Sequence, residues 1–111
     1  MSQTKRISID VQLDKEQVPE RIIWQADDQS GDAPTPCKAM MLSMWDHRQK
    51  DTLKLDLWTR DMTVDEMKIF FHQTLVSMKE SLLKATADDR IAGDMQDFCD
   101  YFAERMEIKA E

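Results

Sequence analysis

Two cysteines (Cys37, Cys99), two histidines (His47, His72) and two adjacent acid pairs (Asp27-Asp28, Asp88-Asp89) are the residues most able to do covalent or acid–base chemistry. A cysteine nucleophile needs a stabilised thiolate and a base beside it. Cys99 stands among Asp97, Asp100 and Glu104, whose charge opposes thiolate formation, so it reads as a small buried hydrophobe. Cys37 opens a strand directly after Pro36, and no base can be assigned to it. A zinc site would have to gather Cys37, His47, His72 and Cys99 from remote positions, whereas structural zinc ligands usually arrive in close pairs. His47 sits in a charged turn, and His72 follows Phe70-Phe71 at the edge of a helical stripe. The acid pairs flank a loop and a helix start, where acids are favoured locally; catalysis would need a cleft that separates their pKa values. No catalytic residue, metal or cofactor is expected. A small enzyme using Cys37 or a histidine is the weaker alternative.

Recognition is the chemistry these residue types favour. Asp94, Asp97, Asp100, Glu104 and Glu107 are spaced three, three, four and three apart, which places them on one face of a helix. Such a face is either solvated or a docking strip for a basic partner. Nine methionines are present. Met67, Met78, Met95 and Met106 fall on helical stripes and read as core filler, while Met40, Met41 and Met44 cluster on one strand. Thioethers suit adaptable binding surfaces as well as irregular cores.

The elements that must position these residues follow from periodicity. Alternation at about 6–14 (Ile7, Ile9, Val11, Leu13 against polar neighbours) predicts a half-buried strand, and further strands are expected at about 21–27, 37–46 and 52–59. The stretch at 27–36, with Gly31 and two prolines, reads as a surface loop, and 47–51 as a hairpin turn. The period then lengthens. Thr63-Val64-Asp65-Glu66 fits a capping box that opens a helix over about 63–84, with Met67, Phe71, Leu75, Met78 and Leu82 as its stripe. A second helix at about 89–107, capped by Asp88 or Asp89, carries Ile91, Met95, Phe98, Phe102 and Met106, with Cys99 beside them.

Four strands before two helices predict an α+β fold in one domain over 1–111: a four-stranded antiparallel sheet followed by two long helices packed on one face. If Trp24, Leu42, Leu53, Leu55 and Leu57 face the helices, then Ile23, Met41, Trp45 and Trp58 face away. Large apolar residues on an outer sheet face make a patch for a protein partner or for self-association.

Composition narrows the partner. The 111 residues include 15 Lys/Arg and 22 Asp/Glu, a net charge of −7. That balance argues against nucleic acid and against an anionic membrane surface. Between Asp88 and Glu107 seven acids meet two bases, which concentrates the acid in the second helix. With only two glycines, Gly31 and Gly93, neither a dinucleotide-binding loop nor a Walker loop can be built. Gly93 lies inside the second helix pattern at a cost of about 1 kcal/mol against alanine, and reads as room for close helix packing. The amino terminus has no apolar signal-like core, and no apolar run reaches membrane-spanning length. A soluble cytoplasmic protein with reduced thiols is the expectation.

The segments LDLWTRDMTVDEMKIFFHQTLVSM (55–78) and MQDFCDYFAERMEIK (95–109), with VQLDKEQVPERIIWQADD (11–28), resemble the gliding motility-associated GldC family of Bacteroidota over nearly the whole chain. The resemblance implies a small, non-enzymatic, cytoplasmic accessory protein of the gliding and type IX secretion apparatus that binds protein partners of that machinery. The order of four strands and two helices also looks like the SecB export chaperone, which is acidic and oligomeric. That likeness implies a homo-oligomer and, as the alternative function, binding of unfolded export clients.

Overall fold

Strand alternation and helical periodicity resolve into seven elements in the computed structural model, which describes residues 3–27 and 34–108. They are β1 (Ile7–Leu13), β2 (Pro19–Ala26), β3 (Thr35–Cys37), β4 (Ala39–Asp46), β5 (Asp51–Trp58), α1 (Val64–Thr86) and α2 (Asp89–Arg105). The chain divides into two compact units, Met1–Met62 and Thr63–Glu111.

In the first unit β1 and β2 pair antiparallel, with Ile9 opposite Trp24 and Val11 opposite Ile22. Opposed residues point to the same side, so the apolar members of both strands share one face. Ile22, at the centre of β2 and opposite both Val11 and Cys37, is fully buried. The β1–β2 turn is held by Asp14, whose Oδ1 accepts from the backbone N–H groups of Glu16 (2.8 Å) and Val18 (3.0 Å). Its Oδ2 accepts from Arg60 Nε (2.6 Å), and Arg60 Nη2 reaches Glu16 (2.7 Å), which ties the turn to the segment after β5.

The single four-stranded sheet expected from the sequence is not formed. Five strands make two sheets, one of order β1-β2-β3 and one of β4-β5. The strand expected at 37–46 begins at Thr35 and bends at Lys38; its first three residues pair with β2 and its last eight with β5. The reason is pairing: Pro36, with no N–H to donate, sits in the edge strand β3 opposite Ile23, where proline is tolerated, while the chain beyond the bend forms the β4·β5 ladder. That ladder ends where the Thr59 N–H meets the Lys38 carbonyl at 2.7 Å. Part of the expected loop at 27–36 is thus strand, and its residues 28–33, Asp28 and Gly31 among them, lie outside the described residues.

The second unit is a helical hairpin. Thr63 caps α1 as its sequence requires: its side chain accepts from the Glu66 N–H, and the Glu66 carboxylate accepts from the Thr63 N–H. Ala87 ends α1 in the left-handed region (φ 55°), and the Asp88 carboxylate then caps α2 by accepting from the Arg90 and Ile91 N–H groups. Ala92 and Cys99, seven residues apart on α2, are its buried residues, and His72 of α1 stacks on Phe102 with ring centroids 6.2 Å apart. Lys79 Nζ donates to Gln96 Oε1 across the hairpin (2.6 Å).

Two expectations about the helices are corrected. A Cβ on Gly93 would meet nothing within 4 Å, so Gly93 is not a helix-packing site; Ala92, its neighbour 100° around the helix, is the buried one. The expected stripes are also only partly covered. Phe71 and Met78 on α1, and Ile91, Phe98 and Met106, remain exposed, so Met78 and Met106 are not core filler. One neighbouring helix covers only an arc of its partner, and these stripes are wider than that arc.

Candidate protein-binding site

The β4–β5 hairpin carries large apolar side chains on both faces. In its register Met40 opposes Leu57, Leu42 opposes Leu55 and Met44 opposes Leu53, which makes one face of three uncharged pairs. On the other, Ala39 opposes Trp58, Met41 opposes Asp56, Ser43 opposes Lys54 and Trp45 opposes Thr52, and Lys54 pairs with Asp56 at 3.1 Å between the two tryptophans. Trp45 is 67% exposed and Trp58 52%. Met44, Leu53 and Leu55, on the leucine face, are exposed by between 48% and 51%. The leucines and the tryptophans therefore lie on opposite faces of the hairpin, and residues of both faces are exposed.

Of the four residues expected to form an apolar patch, Met41, Trp45 and Trp58 share one hairpin face, and Ile23 does not join them. It lies in the three-stranded sheet, opposite Asp10 and Pro36, and is half-buried. Trp45 and Trp58 stand at opposite ends of the ladder, six steps and roughly 20 Å apart, with the half-buried Met41 between them.

On α2 the expected acidic face is present in large part. Asp94, Asp97, Asp100 and Glu104 are all exposed and fall within an arc of roughly 120° at 100° per residue. Glu107 does not continue the line, because the helix ends at Arg105 and Glu107 has φ 56°. Asp100 accepts from Gln96 Nε2 at 2.8 Å. Periodicity placed Phe98 in the apolar stripe and missed Tyr101 within this arc: the two rings, tilted against each other at 6.2 Å, are both more than half exposed. The signal was their spacing of three, which stacks them on one side of the helix. Beside them an open depression of about 220 Å³ is lined by Leu75, Asp94, Met95, Phe98 and Cys99.

The residues singled out for covalent chemistry are divided between the two units, Cys37 and His47 in the first, His72 and Cys99 in the second. Cys99 is buried, as its place beside the stripe requires, and His72 is engaged in its stack on Phe102. Cys37 lies in a depression of about 290 Å³ with Glu20, Arg21, Pro36, Lys38, Thr59 and Asp61, and burial pushes its thiol pKa up, away from the direction an activated nucleophile needs. Asp14 is the carboxylate held low, first by the Val18 N–H and further by Arg60 and the Glu16 N–H, against some desolvation; its partners mark it as a turn clamp. Among the described residues no group of three or more His, Cys, Asp or Glu is placed to hold a metal ion, and no helix is long and apolar enough to cross a membrane.

No curated protein and no solved structure matches the chain. A family match does exist: residues 19–108 fit the family described as gliding motility-associated protein GldC-like. Covering β2 through α2 and most of the sequence, this match shows that the chain belongs to the GldC-like family of gliding motility-associated proteins.

Proposed function

We propose that this protein is a non-enzymatic accessory component of the gliding motility and type IX secretion machinery, acting in the cytoplasm by binding protein partners. The tryptophan face of the β4–β5 hairpin carries the reading. Trp45 and Trp58 are held by a regular ladder yet remain more than half exposed, and tryptophan is the residue most enriched among interface anchors. The acidic arc of Asp94, Asp97, Asp100 and Glu104 is a second contact surface, suited to a basic segment of a partner. The raised Cys37 thiol, with no histidine among the residues lining its depression, supports a binding role over nucleophilic catalysis.

The test is complementation in a gliding bacterium whose own copy is deleted. The chain carrying Trp45→Ala and Trp58→Ala together should fail to restore colony spreading while accumulating to the normal level. Full spreading with both tryptophans removed would sink the tryptophan-face assignment.

The exposure of large apolar side chains in both units favours a second reading, a SecB-like holdase for unfolded export clients. It predicts that stoichiometric amounts of the protein suppress aggregation of a denatured reporter such as reduced α-lactalbumin. Unchanged light scattering would remove that reading and leave folded partners.

A further inference from the structure

We infer that the open depression between α1 and α2, with the exposed aromatic and acidic side chains of α2 beside it, is a docking groove for a basic amphipathic helix of a partner protein. The inference rests on the binding reading above and deepens it, giving the second contact surface its occupant.

The groove offers both chemistries that such a helix carries. Leu75 of α1 and Met95, Phe98 and Cys99 of α2 line a hollow of about 220 Å³, and Asp94 completes it. That is smaller than the pockets that enclose small ligands or cofactors, and suits an apolar side chain inserted from a partner. Phe98 and Tyr101 extend the apolar surface outward, 51% and 56% exposed. Asp94, Asp97, Asp100 and Glu104 run along the helix beside these rings, and the bases of α2, Arg90 and Arg105, stand only near its two ends. The carboxylates of Asp94, Asp97 and Glu104 make no hydrogen bond or ion pair among the described residues, and Asp100 accepts from the neutral Gln96 amide.

Charge selects a basic occupant. On α1 Asp65, Glu66 and Glu80 are balanced by Lys68, Lys79 and Lys84, so the acid surplus of the second unit belongs to α2 and its flanks. The same charges exclude occupants from this chain. The first unit carries nine Lys/Arg against eleven Asp/Glu, and its described residues form strands and no helix. A second copy has only a neutral α1 and an acidic α2 to offer.

Spacing selects a helix. The four acids advance by three, three and four residues, roughly 4.5–6 Å a step along α2. A row of basic side chains on a second helix repeats at the same rise, whereas alternate side chains of an extended segment stand about 6.6–6.8 Å apart. Over the roughly 15 Å from Asp94 to Glu104 a helix keeps step and a strand slips. An apolar stripe beside the basic row then meets the hollow and the rings, as amphipathic helices do when they lie in grooves.

The experiment is fluorescence anisotropy of labelled peptides against the full chain. Three peptides of about 14 residues serve as probes: leucine and lysine in an amphipathic helical repeat, the same repeat with glutamate for lysine, and the same with serine for leucine. The leucine–lysine peptide should bind about tenfold more tightly than either of the others. Asp97→Asn, Asp100→Asn and Glu104→Gln together should weaken it by about tenfold, the sum of three exposed ion pairs. Asp10→Asn, Asp56→Asn and Asp65→Asn remove the same charge elsewhere and should change binding by less than about twofold. Phe98→Ala should cost about tenfold, as loss of an apolar anchor does. Should that variant fail to fold, amide shifts in the NMR spectrum of the wild-type chain replace it, and the peptide must move Leu75 and the amides of 94–104 most. Failure of the wild type to bind the leucine–lysine peptide overturns the inference. So do equal binding of the glutamate or serine peptide, equal weakening by the control substitutions, and shifts centred on the first unit. If the groove fails while removal of Trp45 and Trp58 still abolishes spreading, the binding reading stands without it, so the two failures are distinguishable.

Discussion

The β4–β5 hairpin and α2 both leave aromatic side chains in solvent, but they do so in opposite electrostatic settings. Three bases and three acids cancel along the hairpin, whereas on α2 the four acids Asp94, Asp97, Asp100 and Glu104 share one arc with a single base, Arg90. The cause of exposure differs as well. A strand has two faces, and apolar residues at successive positions such as Met40-Met41 and Met44-Trp45 put large apolar side chains on both. A helix has one stripe, and on α2 Ile91 and Phe98 lie outside the seam that Ala92 and Cys99 close. In this molecule apolar exposure shows where contact can be made, and charge decides which partner can make it.

The sharpest way to break the contrast is to compare a sealed apolar side chain with an open one. Ile22→Ala, at a fully buried position, should cost about 2–5 kcal/mol in urea unfolding. Leu55→Ala, at a position nearly half exposed, should cost well under that. Equal losses would mean that the leucine face is core and not a surface.

On the helical side a gain is expected. Gly93→Ala fills open space on an exposed part of α2 and should stabilise the second unit by about 0.5–1 kcal/mol, read as a raised thermal midpoint. A loss would show that the position is packed and that α2 is less open than the hairpin.

The smallest effect concerns acid. Folding holds the Asp14 carboxyl below its ordinary value, so its contribution is present above the unfolded pKa, about 3.9, and is lost as pH falls through the folded value. Wild-type stability should therefore drop below pH 4 with a steeper slope than Asp14→Asn, measured by urea midpoints at successive pH values. Equal slopes would remove Asp14 from the account of what holds the first unit beside the hairpin.

Much of this was legible in the chain because its causes are local. The capping box at Thr63 and Glu66, the cap at Asp88, the alternation of β1 and the burial of Cys99 each depend on neighbours within a few residues or one turn. The acidic face was legible up to Glu104, and failed at Glu107 because the final turn of a helix depends on capping geometry that spacing does not encode. The split of the expected strand at Lys38 was harder to read, since it depends on which partner each half finds: Ile22 for Cys37, Trp58 for Ala39. Those pairings join positions 15 and 19 residues apart.

Alternation alone decided which hairpin residues stand together, because successive side chains in any strand point to opposite sides. Leucines 53, 55 and 57 had to share a face, and tryptophans 45 and 58 had to avoid it once the strands paired in register. Whether either face would be sealed lay beyond the pattern. Sealing requires a second layer, and a layer is supplied by tertiary or quaternary neighbours, not by adjacent residues. The tertiary structure decided it residue by residue, closing Ile22 in the first unit and Cys99 in the second while leaving Trp45, Trp58, Leu53 and Leu55 of the hairpin exposed.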